Sequence, residues 1–127
     1  MTIAEAITGI DQRKRNGIPE DVKIKWLSEL DGRVYNELIL THDGGDSIPL
    51  PRYDENTIRT TTLLIPSPYE RIYLLWLEAL IDYTSGEMNR YANAYAMFNN
   101  TYAEYARLYH RTHKPKGEKL KFFGTRG

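Results

Sequence analysis

The sequence predicts an all-α protein: a small bundle of about four helices, with a long loop between helices 2 and 3 and an extended C-terminal tail. Three observations predict it. Apolar residues recur at three- and four-residue steps in four separate stretches, and helix start and stop chemistry brackets those stretches. β-Branched residues cluster in one short segment only, residues 57–65.

The first helix starts after Thr2, whose hydroxyl is placed to accept a first-turn amide while Glu5 reaches back, a capping box. It runs to about Arg15 with Ile3, Ala6, Ile7 and Ile10 on one face, and Asn16-Gly17 breaks it. Pro19 suits the first turn of the second helix, where Glu20 and Asp21 meet the positive end of the helix dipole. Trp26, Leu27, Leu30, Val34, Leu38 and Ile39 carry that helix to about Thr41. Gly32 inside it costs about 1 kcal/mol relative to alanine and marks a place to bend.

From His42 to Pro66 the helical pattern gives way to turn residues: Asp43-Gly44-Gly45-Asp46, then Pro49, Pro51 and Asp54-Glu55-Asn56. So long a connection is unusual in a compact domain. Its later part, with Ile58, Arg59, Leu63 and Leu64, is read two ways. It is an arm that lies across a neighbouring subunit, or a surface loop pinned by Leu63 to Ile65.

Ser67-Pro68-Tyr69-Glu70 predicts the start of the third helix, with Ser67 as N-cap, Pro68 at the first position and Glu70 at the third. Apolar residues from Ile72 to Ile81 surround that helix on nearly all sides, so it is the central one. Thr84-Ser85-Gly86-Glu87 closes it and opens the fourth, which runs to about Arg111. Along the fourth helix Met88, Tyr91, Tyr95, Phe98, Tyr102, Tyr105 and Tyr109 follow at alternating steps of three and four, a packing seam with small alanines between. Tyrosine suits a face that is apolar along the ring and wet at its tip. The seam therefore packs on the chain's own helices 2 and 3, or divides itself between that core and another subunit.

Residues 1–113 thus form one helical domain and residues 114–127 an extended basic tail. A 41% apolar and 27% charged chain is neither disordered nor membrane-embedded, and Ile72 to Ile81 is half the length a membrane span needs. No secretory leader is expected at Met1 to Asp11. Without cysteine there is no disulfide, thiolate nucleophile or thiolate metal site. The formal charge is zero, yet from Arg107 onward seven Lys/Arg face one Glu. That asymmetry fits an acidic partner surface or nucleic acid, or a solvated tail. Lys114, Lys116, Lys119 and Lys121 interleave with Leu120, Phe122 and Phe123, a mixture suited to docking in a partner's groove as well as to a frayed terminus.

Chemistry is scarce. His110 and His113 have a metal-ligand spacing, but His42 is remote in sequence and cations surround the pair, so no metal is expected. Glu78 and Asp82 lack the Glu-x-x-His partners of a carboxylate-bridged metal site. No phosphate loop, nucleophile elbow or zinc-finger spacing occurs, so no cofactor and no enzyme activity is expected.

Three stretches carry a family resemblance: Lys25-Trp26-Leu27-Ser28-Glu29-Leu30-Asp31-Gly32, Leu64-Ile65-Pro66-Ser67-Pro68-Tyr69, and the fourth helix from Tyr91-Ala92-Asn93 through Phe98-Asn99 to Tyr109-His110-Arg111-Thr112-His113. Together they resemble the head-to-tail connector, or adaptor, proteins of tailed bacteriophages. The resemblance implies a homo-oligomeric ring, commonly twelve-fold, in the virion neck between the portal protein and the next stopper or tail protein, with double-stranded DNA passing through its lumen. It implies assembly in the host bacterial cytoplasm, a C-terminal segment that reaches the portal, and no catalytic residues. The competing expectation is a nucleic-acid-binding or regulatory helical module that uses the basic C-terminal segment.

Overall fold

A computed structural model describes residues 1–116 and shows an all-helical chain of four α-helices: α1 (Ile3–Arg13), α2 (Glu20–Val34), α3 (Arg71–Thr84) and α4 (Met88–Thr112). Among the described residues there is no strand; two isolated bridges join Thr2 to Thr62 and His42 to Pro115. Among the described residues no helix is long and apolar enough to cross a membrane.

The capping box on α1 forms as its sequence predicts, with the Glu5 amide donating to Thr2 Oγ1 at 3.1 Å and the Thr2 amide to the Glu5 carboxylate at 2.9 Å. Those bonds hold the Glu5 carboxyl below its ordinary range. The helix stops at Arg13 rather than Arg15, because Lys14 turns extended and its ammonium pairs with the buried carboxylate of Asp82. Pro19 is the N-cap of α2 rather than its first helical residue, and α2 runs through Gly32 as regular helix. The irregularity falls later, in a π turn at Tyr35–Ile39, where the Leu40 amide reaches back five residues to the Tyr35 carbonyl.

The start of the third helix differs most from expectation. Pro66 to Tyr69 form a turn containing a cis Ser67–Pro68 peptide, closed by the Tyr69 amide on the Pro66 carbonyl, so α3 begins only at Arg71. Ser67 therefore caps nothing, and Glu70 is drawn instead to the amino group of Met1. At the other end the sequence is a good guide. Gly86 takes a positive φ of 75°, its amide bonds the Tyr83 carbonyl and the Glu87 amide bonds Asp82, which closes α3 in a Schellman motif and turns the chain into α4.

α3 is central, as predicted, and packs against each of the other three helices. α1 lies parallel to it, from Met1 beside Glu70 to Lys14 beside Asp82. α2 runs the other way, with Trp76 Nε1 donating to the Trp26 carbonyl at 2.8 Å. α4 also runs the other way: its Tyr91, Phe98 and Tyr105 rings meet Tyr83, Trp76 and Tyr69 of the α3 hairpin at 5.2, 5.0 and 5.5 Å between centroids. Ile3, Ile10, Ile24, Leu27, Leu30, Ile72, Leu75, Leu77 and Phe98 fill the space between the helices and are fully buried or nearly so.

Residues 59–65 bond to and pack on their own chain. The segment expected as an arm or a pinned loop runs back along the start of α1, where Ile3 and Ala4 donate their amides to Thr61 and Arg59 and Leu63 donates to Met1. First-turn amides of a helix have no partner within it, so this segment completes α1 while α1 fixes the segment. Leu63 and Ile65 are buried in the core.

Candidate assembly surfaces

The seam of α4 changes character along its length. Phe98 is fully buried, Tyr102 and Tyr105 nearly so, Tyr91, Tyr95 and Tyr109 are half-buried, and Met88 is 50% exposed. Its rings form a chain of tilted and edge contacts from Tyr91 through Tyr95 and Phe98 to Tyr102, with centroids 5.5 to 5.8 Å apart. Such pairs each add about 0.5–1.5 kcal/mol beyond area burial. Among the described residues, Tyr102 alone of the seam tyrosines donates its hydroxyl to another side chain, Glu37 at 3.1 Å. Arg33 fixes that carboxylate with two bonds from Nε of 2.9 and 3.1 Å and lies over the Tyr102 ring at 4.6 Å. Burial, then the neighbouring carboxylate, pushes the Tyr102 phenol well above its ordinary range, and burial raises Tyr105 to about 12. The seam thus locks α4 onto α3 and onto the end of α2, and its Met88 end stays uncovered.

A buried carboxylate holds the long connection. Asp31, on α2 and fully buried, accepts the Tyr73 hydroxyl at 2.5 Å, the Tyr53 hydroxyl at 2.6 Å and the Leu64 amide at 3.0 Å. Tyr73 in turn accepts the Ile65 amide at 2.7 Å, and the Tyr53 amide donates to Ser28 Oγ at 3.0 Å. Burial raises the Asp31 carboxyl above its ordinary range, with the Tyr53, Tyr73 and Leu64 bonds pulling partly the other way. Burial and the adjoining Asp31 push both phenols far up as well. The one local sign of this hub is Asp31 at a core position of α2; Tyr53 lies among turn residues, and only the fold brings them together.

All three histidines gather at the other irregular region, although His42 is remote from the other two in sequence. His42 is 1% exposed, its Nδ1 lies 2.5 Å from the Leu38 carbonyl, and its Nε2 lies 3.1 Å from His110 Nδ1. A carbonyl can only accept, so His42 Nδ1 donates to Leu38, and a single proton joins His42 Nε2 to His110 Nδ1. Tyr109 meets the His42 ring edge-on at 5.0 Å, and His113 stacks on Tyr109 at 3.7 Å. Among the described residues no three His, Cys, Asp or Glu side chains converge as a metal ion would need. Helix α2 ends in the π turn just before His42, which delivers the ring to the last turns of α4.

The same region anchors the first residues of the tail. Asp43 donates its amide to the Lys114 carbonyl at 2.8 Å, Lys116 donates its amide to Thr41 at 2.9 Å, and Lys116 Nζ pairs with Asp46 at 2.7 Å. Gly45 makes that loop possible: a Cβ there would lie 1.9 Å from the Ile39 carbonyl oxygen, so no other residue fits unmoved. Lys119, Leu120, Lys121, Phe122 and Phe123, expected to meet a partner, lie outside the described residues.

The four loop residues expected between subunits are separated by the fold. Leu63 is buried in its own core and Leu64 is half-buried beside Asp31. Arg59 is half-buried and pairs with Glu20 at 3.0 Å, whereas Ile58 is 72% exposed. Tyr83 and Met88, at the turn from α3 to α4, are 57% and 50% exposed. Ile58 neighbours the start of α1, through the Arg59 carbonyl on Ala4, and Tyr83 neighbours its end, through Lys14 on Asp82. No family model matches this chain, and neither a curated protein nor a solved structure is significantly similar to it.

Proposed function

We propose that the chain is a head-to-tail connector subunit of a tailed bacteriophage, assembled in the host cytoplasm as a homo-oligomeric ring in the virion neck. The ring stands between the portal and the next stopper or tail protein, with double-stranded DNA passing through its lumen, and its role is assembly without a catalytic step. Twelve-fold symmetry is the number the family resemblance implies. Lys114, Lys116, Lys119, Leu120, Lys121, Phe122 and Phe123 are assigned to the portal.

One observation supports a ring over a two-fold dimer. A ring repeats a head-to-tail contact between two different patches of the same molecule, whereas a two-fold dimer uses one patch twice. Besides Ile48, Leu50 and Met97, the exposed apolar residues of this subunit include Ile58 beside the start of α1 and Tyr83 with Met88 beside its end, two different patches of the kind a head-to-tail contact joins. Size-exclusion chromatography with multi-angle scattering, on the chain alone and with a portal ring, tests it. Assembly into closed multimers, alone or on the portal, is the expected result. A strict monomer that also ignores the portal removes the proposal. A monomer that instead binds DNA with steep salt dependence, lost when Arg107, Arg111 and Lys114 are neutralised, establishes the nucleic-acid-binding module.

A further inference from the structure

A polar cleft of about 380 Å³ opens where the end of α1, the end of α3 and the start of α4 meet, an ordinary size for a small-ligand site. Arg13, Lys14, Arg15 and Arg90 line it together with Asp82, Ser85 and Glu87, so four cations face two carboxylates. We propose that this cleft binds a phosphate group that still carries a proton, as inorganic phosphate or as a small phosphate monoester. The cations and Ser85 take its oxygens, and Asp82 accepts its P–OH.

Asp82 points to that chemistry most directly. It is 2% exposed and belongs to the lining of the cleft. Its Oδ1 takes the Lys14 ammonium, whereas its Oδ2 is buried without a hydrogen-bond partner among the described residues. A buried acceptor left unmatched costs free energy that a donor recovers, and an ionised carboxylate can only accept. A ligand that suits this place therefore brings a donor as well as negative charge. Sulfate brings no donor at neutral pH, and neither do the phosphodiesters of a nucleic-acid backbone. Inorganic phosphate and its monoesters exchange between forms at neutral pH that keep one or two P–OH groups and forms that lose one.

The cations are placed to respond. Arg13 and Arg90 are engaged only near the surface, with Glu78 at 3.2 Å and Glu87 at 3.0 Å, and their side chains are 44% and 69% exposed. Exposed pairs of this kind contribute little, so both guanidiniums can turn to a second anion, whose oxygens they match in pairs. Arg15 is exposed beside them. Helix α4 starts here at Met88 with no side-chain cap, which leaves the positive end of its dipole toward the cleft. The carbonyl end of α3 would oppose an anion, but the Ser85, Gly86 and Glu87 amides take the Ile81, Tyr83 and Asp82 carbonyls.

The proposal does not rest on the connector reading: assembly is read by scattering, and this site by amide shifts. The full nitrogen-labelled chain is titrated at neutral pH and constant ionic strength with inorganic phosphate, glycerol phosphate and sulfate. Saturable shifts of the Ser85, Gly86 and Glu87 amides are expected with inorganic phosphate or glycerol phosphate, the tighter of the two naming the source. Sulfate is expected to bind about ten-fold more weakly or less, since it leaves Asp82 Oδ2 unmatched. Arg15→Gln/Arg90→Gln, at exposed positions, should weaken phosphate about ten-fold without changing the melting temperature. Asp82→Asn replaces the acceptor with a donor and should erase the preference for phosphate over sulfate. Should that variant fail to fold, the phosphate-to-sulfate ratio of the wild type still decides. Equal binding of the two anions would overturn the proposal in favour of an unselective cationic patch. Absence of saturable shifts with either phosphate would overturn it outright, and so would a DNA duplex that moves the same amides more strongly than inorganic phosphate does.

Discussion

The long connection and the root of the tail are both irregular chain held on a helical bundle, and different chemistry holds each. Asp31 gathers three donors from three places, α3, the connection at Tyr53 and the connection at Leu64, onto one fully buried carboxylate. His42 works in series, from the Leu38 carbonyl through its own ring to His110, with backbone bonds to Lys114 and Lys116 alongside. A convergent hub fails as a whole when its centre is removed, because every donor loses the same acceptor. A serial one fails locally. The connection should therefore unfold only with the bundle, whereas the tail root is the part that can open while the bundle stays folded.

Removing the centre of the convergent hub is the severest way to break that contrast. Asp31→Ala leaves the Tyr53 hydroxyl, Tyr73 hydroxyl and Leu64 amide buried without their acceptor, at about 1–3 kcal/mol each when unsatisfied. A loss on the order of 4 kcal/mol is expected in urea unfolding, with Leu63 and Ile65 released together with Tyr53. A loss under 1 kcal/mol would mean that the connection is held by apolar burial alone.

Gly45→Ala strikes the serial region and should cost less, about 1–3 kcal/mol, since the added methyl must push the 41–47 loop off the Ile39 carbonyl. The distinguishing measurement is amide exchange. The Asp43 and Lys116 amides should lose protection while the Leu64 and Ile65 amides keep theirs. Equal loss at both places would erase the distinction between the regions.

These two regions also mark where the sequence was legible and where it was not. The capping box at Thr2 and Glu5, the glycine close at Gly86, the central helix around Leu75 and the seam through Phe98 all depend on neighbours in sequence, and each was found. α3 starts at Arg71 rather than at Pro68, because Ser67-Pro68 has the same residues whether it opens a helix or makes a turn, and Glu70 pairs with the amino group of Met1 rather than capping a helix from its third position. The roles of Asp31 and His42 are not legible in the sequence because their partners lie 22 to 68 residues away. Their one local sign is a polar residue on an otherwise apolar face, which many solvated positions share.

Protonation sharpens the contrast further. The folded Asp31 carboxyl holds its proton above the unfolded value, so its contribution to stability is fully present below about pH 4 and is lost as pH rises through the folded value. Asp31→Asn stays neutral and lacks that dependence. Other carboxylates titrate in both proteins, so the stability of the wild type minus that of Asp31→Asn, measured by denaturant at each pH, isolates the group. The difference should fall as pH rises from 4, with a slope of at most about 1.4 kcal/mol per pH unit. A difference that rises would mean that the Tyr53, Tyr73 and Leu64 bonds outweigh burial.

The smallest effect on folding is expected at Ile58, and its smallness gives it value. Ile58 sits on the same connection that Asp31 fastens, yet at 72% exposure it contributes little to its own chain, so Ile58→Ser should change stability by no more than about 0.5 kcal/mol. If head-to-tail contact between subunits uses this side chain, the same substitution weakens assembly strongly, and Met88→Ser at the other patch weakens it comparably. Because each interface of a ring joins one patch of each kind, mixing the two variants restores at most one unaltered contact per pair, so no closed ring should form. Light scattering on the single variants and the mixture reads all three. Wild-type assembly by Ile58→Ser would leave the Asp31 hub intact as a structural device and remove the connection from the subunit interface.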